Sequence, residues 1–420
     1  MKIKHSRFVY GLVALSIILS ACLPTMQNDN ETSTIPFGPQ VTLQEHQTQV
    51  FDALWTDIKE NYIYYQTADV DWNAIHTKYV DRINSKLTSE EFNNLLKGLE
   101  SDLPKNEFVV ESRDERIAND IAETSTYGGI GAFVGFEEKE VPHVVILDVM
   151  PGSPAEKAGL QAHDSILAID GDPVRLEEGL NVVDRVRGAA GSTVALTIAT
   201  PGEKERDVKL TRAQLTGTGK LKTEQLSDTN VGYVLLPPSA SANMMDDLLS
   251  ELTNFSANKE FKGLILDLRI SNAASDWPLD AMLTLFENGD IGEVYNRSGS
   301  QKLHIDGQDK FGSQKMPLIL LVGENTRGLA EVFTAAMQSN SRATVIGSKT
   351  SGDIETLNGF LLPDGSQIFI ASTSFHFPGG TNIGMEGITP EVQIDARWDQ
   401  IILDQDPVIQ AAVQALEVKP

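Results

Sequence analysis

The sequence predicts a multidomain α+β protein: a helical N-terminal domain, a β-rich middle domain and an α/β core. Capping signals followed by apolar residues at helical spacing occupy 41–126, and short β-rich runs broken by turn signals occupy 127–212. Over 226–400, strand-like and helical stretches alternate, and 401–420 is a C-terminal segment. With 420 residues, 41% of them hydrophobic, the chain has material for several separate cores.

Ahead of these elements, Lys2, Lys4 and Arg7 form a basic start, and an apolar stretch runs from Phe8 to Leu19, too short to cross a bilayer. It ends in Leu19-Ser20-Ala21-Cys22, which resembles the bacterial lipobox. That resemblance implies a signal peptide over 1–21 and a lipidated Cys22. It also implies secretion across the inner membrane and a lipid anchor in the bacterial cell envelope. Residues 22–40 are polar and rich in Pro, Thr and Asn, a flexible tether. Cys22 is the sole cysteine, which excludes an internal disulfide. The formal charge of −25 repels phosphate backbones and excludes nucleic acid as a partner.

Thr42 with Glu45 makes a capping box, and Phe51, Leu54, Trp55, Ile58 and Tyr62 follow at helical spacing. Thr88 with Glu91 opens another helix carrying Phe92, Leu95, Leu96 and Leu99. These aromatic and aliphatic stripes read as core rather than as a ligand site.

In the middle domain, Pro151-Gly152-Ser153-Pro154-Ala155-Glu156-Lys157-Ala158-Gly159-Leu160 spells a short helix. Ser153 is its N-cap, Pro154 its first residue, Glu156 the close of the box and Gly159 its end. A strand and turn follow in Asp164-Ser165-Ile166-Leu167-Ala168-Ile169-Asp170-Gly171. Upstream, Gly129-Ile130-Gly131-Ala132 leads into Phe133 and Val134. This order resembles a PDZ domain of bacterial envelope proteases. In such a domain, backbone N–H groups of the Gly-containing loop hold a peptide's terminal carboxylate, and the adjoining strand edge adds the peptide as a strand. The resemblance assigns Gly129, Ile130, Gly131 and Ala132 to peptide binding, with a helix around Glu177–Arg187 as the opposite wall.

The core carries strand-like Val231–Leu236, Gly263–Leu268, Pro317–Val322 and Thr344–Ile346. Lys262–Arg269, the stretch Pro317–Gly352, Leu362-Pro363-Asp364-Gly365 and Gly387-Ile388-Thr389-Pro390-Glu391 together resemble the C-terminal processing peptidases, the tail-specific proteases. The resemblance runs from about Val41 to about Arg397 and implies a core of the ClpP/crotonase type. It brings no cofactor, and the scattered acidic residues suggest no metal site.

The family's chemistry uses a serine in a Ser-Ala-Ser-Ala-Ser-Glu run and a lysine in a Gly-Lys-Gly turn. Anchored on Glu331, the run here is Thr326-Arg327-Gly328-Leu329-Ala330-Glu331, so Gly328 stands at the serine position. Anchored on Thr350 and Gly352, the lysine position is Asp353, and the spacing between the two matches the family's. The Asn-Pro-Gly-Gly turn that presents an oxyanion donor reads Ser271-Asn272-Ala273-Ala274. Distant relatives place a histidine after a Leu-x-Asp-Gly run; the stretch here is Leu103-Pro104-Lys105-Asn106-Glu107-Phe108. The expectation is a degenerate member that binds peptide or protein C-terminal tails. One alternative is a working peptidase with a relocated nucleophile among Thr326, Ser348 and Ser351, with Lys349 near. The other is an envelope scaffold that binds nothing.

Overall fold

The computed structural model describes residues 41–104, 106–117, 128–215, 219–226, 229–274, 276–377, 386–402 and 405–418. Residues 1–40, where the sequence leads one to expect a signal peptide, a lipidated Cys22 and a tether, lie outside the described residues, as does Tyr127. Met1–Thr42 and Leu43–Pro420 are separate units, and every helix and strand among the described residues belongs to the second.

Its centre is a six-stranded sheet in the order Lys222–Leu226, Val231–Leu235, Gly263–Asp267, Leu318–Val322, Thr344–Gly347, Val392–Gln393. All neighbours are parallel except the first pair. Side chains alternate across it. Leu264, Leu266, Leu318, Leu320 and Val322 meet Leu248, Leu252, Phe286 and Phe333 of the helices on one face. Ile265, Ile319, Leu321 and Ile346 meet Val408, Ala412 and Leu416 on the other. Covering both faces accounts for strands that read as unbroken apolar runs. The sequence places the four central parallel strands to within one residue at either end.

The N-terminal helices Leu43–Asn61, Trp72–Ile83 and Ser89–Leu99 do not close a core of their own. Phe51, Leu54, Ile58, Tyr62, Phe92, Leu96 and Leu99 are buried together with Phe108, Val110, Ile368 and Ile370. The strand Phe108–Glu111 pairs antiparallel with Gln367–His376, which also holds Gly289–Asn296 and Thr356–Leu361. The Thr88 box forms: Glu91 Oε2 accepts the Thr88 N–H at 2.8 Å, and Thr88 Oγ1 accepts the Glu91 N–H at 3.2 Å.

The PDZ sheet runs Ala132–Glu137, His143–Val149, Ser165–Ile169, Thr193–Ala199, Arg206–Thr211. Asp170 and Gly171, both at positive φ, make the tight turn after Ser165–Ile169. Ser153 caps Pro154–Lys157 by accepting the Glu156 N–H. Glu156 closes the cap one residue earlier than the box pattern predicts, accepting the Gly152 N–H at 2.6 Å. The wall expected as one helix over Glu177–Arg187 is broken. A 3-10 stretch, Leu176–Val182, is interrupted at Gly179 (φ 50°, ψ −144°) and followed by a single α-turn, Val183–Val186.

Strand His143–Val149 is apolar on both faces because both are covered. Val144 and Ile146 enter the PDZ core, while Val145 and Leu147 pack on Leu235 and Ile270 of the peptidase-like core. Trp398 reinforces the seam: its Nε1 donates to the Ile146 carbonyl at 3.1 Å, and its ring lies 4.2 Å from that of His163. His143 Nε2 meets Asp399 Oδ2 at 3.1 Å with both side chains buried.

Candidate functional site: a cleft at Gly328 and a PDZ groove

The cleft begins where strand Leu318–Val322 ends. Thr326 is fully buried, and its hydroxyl donates to the Leu268 carbonyl at 2.9 Å while accepting the Gly323 N–H at 3.0 Å. That hydroxyl is committed to the loop and is no nucleophile. Arg327–Gly328 then pairs parallel with Asn272–Ala273, and helix Leu329–Ser339 follows. Gly328 sits at φ 62°, ψ −131°, and a Cβ there would stand 2.3 Å from the Ala273 carbonyl oxygen. Only glycine fits that conformation and that approach.

Gly328 and Asp353 do come together. The Gly328 N–H donates to the Asp353 main-chain carbonyl at 3.0 Å. The Asp353 carboxylate accepts from Arg327 Nη1 at 2.8 Å and from the Ser351 hydroxyl at 2.9 Å. Beneath them lies Glu331, wholly buried, which accepts from Thr350 Oγ1 at 2.5 Å and from Gly352 N and Asp353 N at 2.8 Å each, with Ser351 Oγ, whose one proton goes to the nearer Asp353, 3.3 Å away. Burial pushes its carboxyl above the usual range, and the donors from Thr350, Gly352 and Asp353 offset this in part. Lys349 is exposed on the solvent side of this turn.

The cleft holds about 650 Å³ and is floored by Ala273, Ala274, Gly328 and Asp353. Glu107 and Glu355 also line it. Glu355 accepts from the Tyr64 hydroxyl at 2.6 Å, and burial raises its pKa. Glu107 is 3% exposed, and among the described residues neither carboxylate oxygen has a partner at hydrogen-bond geometry. Burial pushes its carboxyl up to about 6; the nearby Tyr62 hydroxyl favours the ionised form and the Glu355 charge opposes it.

The neutral form of Glu107 therefore supports the fold. That support is complete below the ordinary value of 4.5 and is lost as the pH rises through about 6. The difference is about 2 kcal/mol. Glu107→Gln is expected to raise stability by about that much at about pH 8 and to leave it unchanged at about pH 4. Urea unfolding at the two pH values checks this, and an equal effect at both would refute it.

Sequence reasoning missed Glu107, Glu355 and the strut role of Glu331. The one sign in the sequence was a lone carboxylate entering the apolar run Phe108-Val109-Val110. Its burial depends on strand Gln367–His376, far along the chain.

A separate groove of about 110 Å³ has Gly129, Ile130, Gly131 and Ala132 on one wall and Val183, Val186 and Arg187 on the other. Gly131 lies at φ +81°, where a Cβ would stand 2.4 Å from the Cβ of Ser153. The Ile130 and Gly131 carbonyls accept the N–H groups of Ala155 at 2.8 Å and Met150 at 2.9 Å, fastening the loop to the short capped helix.

Sequence profiles of known families match in the same order as these parts. The Tricorn protease C1 domain matches residues 43–99, the PDZ domain 145–200, and peptidase family S41 residues 230–394. The C-terminal processing peptidase of Tetradesmus obliquus chloroplasts is 26% identical over 82% of this chain and 77% of its own. A carboxyl-terminal-processing protease of Synechocystis sp. is 28% identical over 86% and 85%. Among solved structures, the photosystem II D1 C-terminal processing protease superposes with a TM-score of 0.64 at 22% identity. It covers 90% of this chain and 98% of its own, a likeness of fold. The tricorn protease, at a TM-score of 0.50 and 19% identity, shares the fold over 90% of this chain and 37% of its own length. With helices, PDZ domain and ClpP-like core in this order, the chain belongs to peptidase family S41, among the relatives of the carboxyl-terminal processing proteases.

Proposed function

We propose that the protein is a pseudopeptidase, anchored in the cell envelope through lipid on Cys22, that holds C-terminal tails in its PDZ groove without cutting them. The observation that carries the reading is Gly328. The position aligned with the nucleophile has no side chain and no room for one, and Asp353, with no proton-accepting amine, stands where the base belongs. A serine peptidase needs a hydroxyl with a base in reach, and losing the nucleophile lowers turnover by roughly a millionfold. Among the described residues, no lysine lines the cleft. In the groove, the Gly129–Ala132 loop would take the terminal carboxylate, and Val144, Ile166, Val183 and Val186 would take an apolar last side chain.

The test uses the full chain purified in detergent and a fluorescent, unstructured peptide ending in an apolar residue with a free carboxylate. Binding is expected to weaken about tenfold when the carboxylate is amidated, the loss of a charge-assisted contact. Val183→Asp is expected to weaken it by a similar factor, and the bound peptide should stay uncut on long incubation. No binding of the free-carboxylate peptide would make the protein a scaffold, and equal binding of both peptides would remove the carboxylate loop from the site. Cleavage abolished by Ser351→Ala would make it an enzyme with a displaced nucleophile.

A further inference from the structure

Among the described residues, the buried carboxylate of Glu107 has no counter-charge. Neither it nor Glu355 forms an ion pair with any described lysine or arginine, and the Arg327 guanidinium in the same cleft is taken by Asp353 at 2.8 Å. The Glu355 carboxylate accepts from the hydroxyls of Tyr64 at 2.6 Å and Ser374 at 3.4 Å and from its own backbone N–H, none of them a cation. An unpaired buried charge is costly, and an entering cation relieves that cost. Among the described residues no group of three or more acidic, His or Cys side chains is placed to hold a metal.

The cleft's volume of about 650 Å³ far exceeds what a lone ammonium fills. Thr356 and Leu357 on its rim begin a strand, Thr356–Leu361, that pairs with Gln367–His376, and no described strand pairs with its other edge, the side on which an extended chain would add. We infer that the cleft binds a lysine or arginine side chain of an extended peptide, its cationic head seated between Glu107 and Glu355.

This site is independent of the PDZ groove, and the experiment keeps the two apart. The full chain in detergent is titrated with two fluorescent peptides, each amidated so that no carboxylate is offered. One has a central lysine flanked by alanines; in the other, norleucine replaces the lysine. The lysine peptide is expected to bind at least about tenfold tighter at about pH 8, one charge-assisted contact to buried carboxylates. Glu107→Gln should bring the two affinities together while raising the thermal midpoint. Glu355→Gln, which tests the partner, should narrow the gap too.

Lowering the pH to about 5 should also erase the preference, because Glu107 takes up its proton near 6. Among the described residues, the groups facing it or sharing its cleft are the Tyr62 and Tyr64 hydroxyls, Glu355, Asp353 and Arg327, with His376 stacked on Tyr295 behind Tyr64. The pH series on Glu107→Gln isolates the Glu107 share. A purely structural Glu107 would leave the lysine-to-norleucine ratio unmoved. Equal affinity of the two peptides for the unmutated chain, or a preference that survives both glutamine substitutions, overturns the inference. Neither result bears on tail binding in the groove, which needs the free carboxylate absent here.

Discussion

Glu331→Ala is expected to lower stability by about 4 kcal/mol, the largest single effect in the core outside its apolar centre. The carboxylate accepts the Gly352 and Asp353 N–H groups and the Thr350 hydroxyl, all at 2.8 Å or less, in a place with no exposure. Alanine leaves these donors without an acceptor, each costing about 1–3 kcal/mol. Thr350 Oγ1 also accepts the Ile388 N–H at 2.7 Å, so the loss spreads to the turn carrying Gly387 and Ile388. Glu331→Gln keeps one oxygen but points an amide N–H at a donor, and about half the loss is expected. Urea unfolding measures both. A change under about 1 kcal/mol for the alanine variant would mean that the 350–353 turn is held by something other than Glu331.

Gly328→Ser, the change that writes the family's nucleophile back into the sequence, is expected to cost about 3 kcal/mol and to yield no peptidase. The backbone at φ 62° disfavours any Cβ, and the added atom meets main chain, the Ala273 carbonyl oxygen at 2.3 Å, which cannot swing aside as a side-chain tip would. Gly328→Ala should cost about as much, because the collision is with Cβ and not with the hydroxyl. Adding Asp353→Lys sets a second cation beside Arg327 in place of its 2.8 Å ion pair. The double variant should therefore neither cleave a tail peptide nor react with an acylating reagent. Restored cleavage would show that the 272–274 turn relaxes to make room.

The sequence went far for elements whose determinants are local. The Thr88 box, the Ser153-Pro154 helix start, the Asp170-Gly171 turn and the alternating core strands each depend on residues within a few positions, and each stands where its pattern put it. The site was legible only as alignment: Gly328 and Asp353 fall in contact, but the alignment says nothing of the conformation that excludes a serine. Gly179 shows the limit on a local scale, since apolar spacing over Glu177–Arg187 suits one helix while that glycine's backbone breaks it.

What the sequence by itself determined is the order of parts, the strands of the core and the absence of serine and lysine at the aligned positions. Periodicity and caps are short-range properties of neighbouring residues. Tertiary structure alone decided that Glu107 is buried with no ion-pair partner among the described residues, that Glu331 braces the turn beneath Asp353, and that Gly328 faces the Ala273 carbonyl. Burial, an unpaired charge and a backbone collision are relations between segments far apart in the chain, and they exist only once the sheets have brought those segments together.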